Sequence, residues 1–201
     1  MVQDASAGTV TIRILSLFFM SALAMRLLTG LSAVADQTDP RLGTLFIQLK
    51  SAPTAETARA LEAEIWNIWM QSGNDRVDGL MASGVMGLNR ADYDRALDAF
   101  SQIVTLAPNF AEGWNKRATT LYLMGRFSDS IKDIEKVLVL EPRHFGALSG
   151  LGLCDTQLNK PKEALSAFER ALNVDPNMPG LKLRIDELKK RLERESIWDR
   201  N

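Results

Sequence analysis

Residues 111–144 read AEGWNKRATTLYLMGRFSDSIKDIEKVLVLEPRH, and residues 145–178 read FGALSGLGLCDTQLNKPKEALSAFERALNVDPNM. Laid one over the other, and both over residues 77–110, they keep a common register of 34 residues. Pro108, Pro142 and Pro176 close the three copies, inside Leu106-Ala107-Pro108, Leu140-Glu141-Pro142 and Val174-Asp175-Pro176. Further columns fall into step. Ala96, Ser130 and Ala164 align, as do Phe100, Ile134 and Phe168, and Ile103, Val137 and Ala171. In the front halves Leu80, Trp114 and Leu148 share one column, and Gly84, Ala118 and Gly152 share another. Self-similarity at a fixed period of this size marks an array of stacked units, none of which can bury its apolar face alone.

These columns resemble the tetratricopeptide repeat. The resemblance implies an all-α, right-handed solenoid of helical hairpins, with small residues where two helices touch and a proline after the second helix. The units are then 77–110, 111–144 and 145–178, each an entering and a returning helix. The turns between them are expected at Leu88-Asn89-Arg90, Met124-Gly125-Arg126 and Leu158-Asn159-Lys160, where Gly and Asn suit a left-handed residue.

Before the array, Asp39-Pro40 starts a helix carrying Leu42, Leu45, Phe46 and Leu49 on one face. Pro53 stops it, and Thr54 opens a second helix through Leu61, Ile65, Ile68 and Trp69 to Gly73. One period back, Phe46 takes the column of Leu80, Trp66 that of Phe100 and Trp69 that of Ile103, while Pro53 and Glu62 break the pattern. Residues 36–76 therefore read as a degenerate repeat covering the N-terminal end of the array. Trp66 and Trp69 lie on its apolar stripe and read as packing residues rather than ligand-stacking ones. After Pro176, residues 179–201 carry a stripe of Leu181, Ile185, Leu188 and Leu192 among alternating charges, the pattern of a capping helix.

Residues 1–35 are of another kind. Ile14 to Met25 holds no charge, and Ala33-Val34-Ala35 is a small-x-small triplet, which together read as a secretory signal peptide cut after Ala35. The alternative is an uncleaved anchor over residues 10–34, with Arg26 snorkelling. Either places the repeats in the periplasm, another exported compartment, or at the inner membrane surface.

Composition narrows the function. Net charge is -1, and without residues 1–35 there remain 22 basic and 24 acidic groups, too even a balance for nucleic acid. One cysteine, Cys154, and one histidine, His144, leave no disulfide and little for a metal site or a His-dependent triad. No phosphate loop, H-E-x-x-H, G-x-S-x-G or EF-hand loop occurs. His144 reads as an interface residue between repeats and Cys154 as a small buried hydrophobe. No cofactor, metal, small-molecule substrate or catalytic residue is expected.

The resemblance points to binding, since entering helices in this family line a groove for a peptide or helix of a partner protein. Here those positions are Asp78, Met81, Val85 and Leu88, then Glu112, Asn115, Thr119 and Tyr122, then Ser149, Leu153, Thr156 and Gln157. Family members that grip chaperone tails use a clamp of Lys, Asn and Arg, whose positions here hold Met81, Val85, Lys116, Gly146 and Gly150. The clamp is missing, and chaperone-tail binding is not expected. The function implied is a non-catalytic adaptor, similar to short exported tetratricopeptide proteins of proteobacteria that serve envelope assembly or integrity. A self-associating structural protein and an accessory subunit of an enzyme are the alternatives.

Overall fold

A computed structural model describes residues 36–198 as helices joined by short turns. The leader and the anchor alternative both fall on residues outside that range. In chain order the helices are α1 (Arg41–Lys50), α2 (Ala55–Trp69), α3 (Asp75–Asn89), α4 (Tyr93–Leu106), α5 (Ala111–Leu123), α6 (Phe127–Leu140), α7 (Phe145–Gln157), α8 (Pro161–Val174) and α9 (Pro179–Trp198). The pairs α3–α4, α5–α6 and α7–α8 are hairpins, α4 packs on α5, and α6 packs on α7. This is a right-handed solenoid of helical hairpins. None of the described helices is long and apolar enough to cross a membrane.

The columns have a steric basis. A Cβ on Gly84 would stand 2.4 Å from the Phe100 ring, and one on Gly152 would stand 2.4 Å from Phe168. Where the returning helix carries the slimmer Ile134, the entering helix carries Ala118. The small residue thus makes room for the aromatic ring of its own hairpin. Ser130 takes the place of Ala96 and Ala164, and its hydroxyl donates to the Ala118 carbonyl at 2.8 Å, so the buried polar atom is satisfied.

The turns correct the expected register. Left-handed backbone occurs at Ala91 (φ 55°), Gly125 (φ 75°) and Asn159 (φ 58°), one period apart. In the first hairpin the strained position is therefore Ala91, two residues past Asn89. The left-handed position follows the stacking of the helices rather than the residue best suited to it.

The N-terminal hairpin departs further from expectation. Its apolar residues Leu42, Phe46, Leu49, Ile65, Ile68 and Trp69 form one cluster with Phe145, against which Val174 and Met178 also pack. Trp66 and Trp69 do lie in packing contacts, but their partners are His144 and Phe145, at the boundary of the second and third hairpins. At the first hairpin, Met70 packs against the Val77 and Met81 cluster. The segment carrying α1 instead runs past the loops that close the three repeats in turn. Gln37 donates to the Asn109 carbonyl (2.6 Å) and accepts from the Ala111 N–H (3.1 Å). The Arg143 guanidinium lies 4.3 Å from the centre of the Phe46 ring. Asn177 Nδ2 donates to the Leu49 carbonyl at 3.4 Å. Asn109, Arg143 and Asn177 share one column of the period, so the straight run of α1 and the turn before it can meet all three. At the other end Leu181, Ile185 and Leu188 of α9 are buried against Ala164, Phe168 and Ala171, while Leu192 is half-buried.

Candidate partner-binding channel

The side of the array formed by the entering helices is roofed in part by α2. A cavity of about 320 Å³ lies between Glu62 and Trp66 of α2, Asn115, Thr119 and Tyr122 of α5, and Phe145, Gly146, Ser149 and Leu153 of α7, with Ile134 and Met178 also lining it. A second, of about 520 Å³, is bounded by Arg59, Glu62, Ser149, Leu153, Met178, Leu181 and Arg184. The two share Glu62, Ser149, Leu153 and Met178, and so form one channel between α2 and α7.

The roof is held by a buried polar network. Glu112 and His144 are both shielded from water, with Glu112 Oε2 3.0 Å from His144 Nε2. His144 Nδ1 accepts the Ala147 N–H at 3.1 Å and so caps α7, which leaves the ring hydrogen on Nε2, donated to Glu112. Asn115 Nδ2 donates to the same Glu112 oxygen (3.0 Å), and Lys116 Nζ stands 3.1 Å from the other. Burial pushes the Glu112 carboxyl up, but the His144 hydrogen bond and the Lys116 charge outweigh it and hold the group below its ordinary value. Trp69 stacks flat on the His144 ring, with centroids 4.1 Å apart. Trp66 stands edge-on to it and lies under the Lys116 ammonium at 5.4 Å. A Cβ at residue 146 would meet Trp66 at 2.7 Å, so Gly146 is what lets α2 approach.

The expected groove residues divide. Asn115, Thr119, Tyr122, Leu153 and Ser149 line the channel. Met81 does not: it is 2% exposed and packed with Val77, Phe100 and Phe110, with Val85 and Leu88 against the same cluster. The first entering helix spends these apolar side chains on its own core. Thr156 donates to the Gly152 carbonyl (2.7 Å) and is half-buried, Gln157 is exposed, and neither lines the channel. Asp78 accepts from the backbone and hydroxyl of Ser72. Glu112 is occupied in the buried network.

Residues of α2 and α9, namely Arg59, Glu62, Trp66 and Arg184, were outside the expected set. The signal for Glu62 was present as a charge on an otherwise apolar helical stripe. The Glu62 carboxyl is pushed up to about 7 by burial, by the Asp175 charge and by a hydrogen bond shared with it, with Arg59 acting in the opposite sense. Asp175 is fully buried. Its Oδ1 accepts the Asn177 N–H at 2.9 Å, and Oδ2 meets no donor other than the Glu62 carboxyl.

His144 has no exposed surface and Cys154 none either, with burial pushing the Cys154 thiol up. Neither is reachable by a substrate. Among the described residues no group of three His, Cys, Asp or Glu side chains is placed to hold a metal.

The geometry defines a class, a repeat protein of stacked helical hairpins with a channel along its entering helices. The family signature described as Tetratricopeptide repeat matches residues 146–178. A TPR repeat-containing protein of Rhizobium etli is 38% identical over 136 residues, covering 68% of this chain and 67% of that protein. The chain belongs to the tetratricopeptide repeat family, whose members are protein–protein interaction modules. Of other curated relatives it spans less than half the length, only 19% for the Hsp70-Hsp90 organizing protein of Triticum aestivum. Among solved structures, the Sgt2 TPR domain from Aspergillus fumigatus aligns with a TM-score of 0.58 at 24% identity, covering 61% of this chain and 83% of that one. The first TPR of Spaghetti (RPAP3), bound to an HSP90 peptide, aligns at 0.57 and 21% identity, covering 59% and 94%.

Proposed function

We propose that the protein is a non-catalytic adaptor that holds a peptide or helical segment of a partner protein in the channel between α2, α5 and α7. The observation that carries this is the channel's lining. Apolar Leu153 and Met178 and the Tyr122 ring stand beside neutral hydrogen-bonding groups of Thr119 and Ser149, on the entering-helix side of the array. Such a surface takes apolar side chains and satisfies a backbone. The complex of the RPAP3 repeat with a peptide supports a peptide as ligand. The ligand proposed is not a chaperone tail. Of the clamp positions, Met81 is core, Lys116 is paired with Glu112, and Gly146 lies under Trp66.

The setting proposed is the cell envelope, with the protein exported to the periplasm or anchored by residues 10–34 and serving envelope assembly or integrity. The apolar stretch Ile14–Met25 and the Ala33-Val34-Ala35 triplet support it. The test is crosslinking in cells from a photoreactive residue at Tyr122, followed by identification of the attached protein and pull-down with Thr119→Arg/Tyr122→Ala. One envelope protein captured by the wild type and lost from the variant is the expected result. Equal recovery by both would sink the channel as the binding site.

A further inference from the structure

The channel's charges follow an order. At the Tyr122 end the lining is neutral, and the nearby Lys116 is already paired with Glu112. In the middle, belonging to both cavities, stands Glu62. At the far end Arg59 and Arg184 line the second cavity. No cation is ion-paired with Glu62 among the described residues. The groups around it are Arg59 on its own helix, Asp175 in the loop between α8 and α9, Arg184 on α9, and neutral Asn115, Thr119 and Ser149 from α5 and α7. Behind it the fully buried Asp175 keeps one oxygen that meets no donor other than the Glu62 carboxyl. Two carboxyl groups thus share a half-dry site in which Arg59 offsets burial and mutual repulsion only in part, and such a site gains from a further cation brought in.

We infer that the channel takes a partner segment carrying a lysine or arginine opposite Glu62, with apolar residues toward Tyr122 and an acidic residue toward Arg59 and Arg184. This rests on the reading of the channel as the partner site, and adds to it the chemistry of the partner. The incoming ammonium or guanidinium pairs with the Glu62 carboxylate and offsets the repulsion from Asp175. Glu62 gives up its proton as the complex forms. Complex formation is therefore tighter at pH 8 than at pH 6, a direction that a purely apolar ligand does not produce.

The experiment uses the full chain and a displayed library of random peptides, panned at pH 8. Enriched peptides are synthesised, and their affinities for the wild type, Glu62→Gln and Tyr122→Ala are read by fluorescence anisotropy at both pH values. Enriched peptides should share a basic residue among apolar ones. They should bind Glu62→Gln about ten-fold or more weakly, the range of a charge-assisted hydrogen bond. Protons released on binding, measured by calorimetry in two buffers, should vanish with Glu62→Gln. That variant removes a repulsion, so it should keep its helicity and melt no lower than the wild type at pH 8. Peptides that lack a basic residue, or that bind Glu62→Gln as well as wild type while losing Tyr122→Ala, overturn the inference and leave the channel standing. Enrichment no better than on Thr119→Arg/Tyr122→Ala overturns both.

Discussion

Ala91 holds a left-handed backbone at φ 55°, where Gly125 and Asn159 stand in the other two turns. A residue with a Cβ pays roughly 1–2 kcal/mol there. Ala91→Gly should therefore stabilise the protein by about 1 kcal/mol, once the greater freedom glycine gives the unfolded chain is subtracted. Thermal melting should show a rise of a few degrees, and a fall would mean that the turn relaxes elsewhere. At Gly152 the sign reverses. The Phe168 ring stands 2.4 Å from where a Cβ would go, so Gly152→Ala should cost about 1–3 kcal/mol by overpacking. The middle hairpin already contains the compensation, Ala118 facing Ile134. Adding Phe168→Ile to Gly152→Ala should recover part of the loss, and urea unfolding of the single and double variants measures the coupling. If the two substitutions simply add, the column is not a steric pair.

At the scale of the element, the N-terminal hairpin is the part that follows a different logic. Trp69, fully buried, joins Phe46, His144 and Phe145, and so connects the hairpin to the boundary between the second and third repeats. Trp69→Ala removes that connection at a cost of about 3–5 kcal/mol. The repeats hold their own cores around Phe100, Ile134 and Phe168. Hydrogen exchange should therefore speed up across α1 and α2 and stay near wild type in α4, α6 and α8. Uniform loss of protection would show one cooperative unit instead. This element also marks where the sequence stops being legible. The three repeats could be read because each column recurs at 34 residues and its partners lie in the same or the next unit. The helices α1 and α2 could be read from periodicity as well. Their docking could not, because an apolar stripe fits a neighbouring hairpin and the side of the array equally. Only Pro53 and Glu62, as departures from the repeat, hinted at the difference. The same ambiguity explains the groove. Asn115, Thr119, Tyr122 and Leu153 fell in the channel, while Met81 on the matching column of the first repeat went to the core.

For the whole molecule, the two carboxylates at the hairpin boundary act on stability from opposite sides of pH. Glu112 titrates below its ordinary value of 4.5 when folded, because the His144 hydrogen bond and the Lys116 charge exceed the effect of burial. The unfolded chain then binds more protons in that window, so the contribution of Glu112 is present above about pH 4.5 and is lost as pH falls through the folded value. Glu62 runs the other way. Its folded value is raised from 4.5 to about 7, so here the folded chain binds more protons. The stability linked to Glu62 is full below pH 4.5 and declines as pH rises toward 7. Together they contribute an acid flank, shared with Asp39 through its Arg41 ion pair, and a flank toward neutral pH in which the raised Asp155 also takes part. Urea midpoints measured across pH 3 to 8 should show both flanks. Glu62→Gln should reduce the slope near neutral pH, leave the acid flank in place and raise stability near pH 8, since Asp175 then faces an uncharged amide. Glu112→Gln should lower stability at neutral pH and make the acid flank shallower, leaving the share of Asp39, because Lys116 and the His144 N–H lose the charge they point to. A neutral flank unchanged in Glu62→Gln would show that the Glu62–Asp175 contact does not govern how α2 sits on the array.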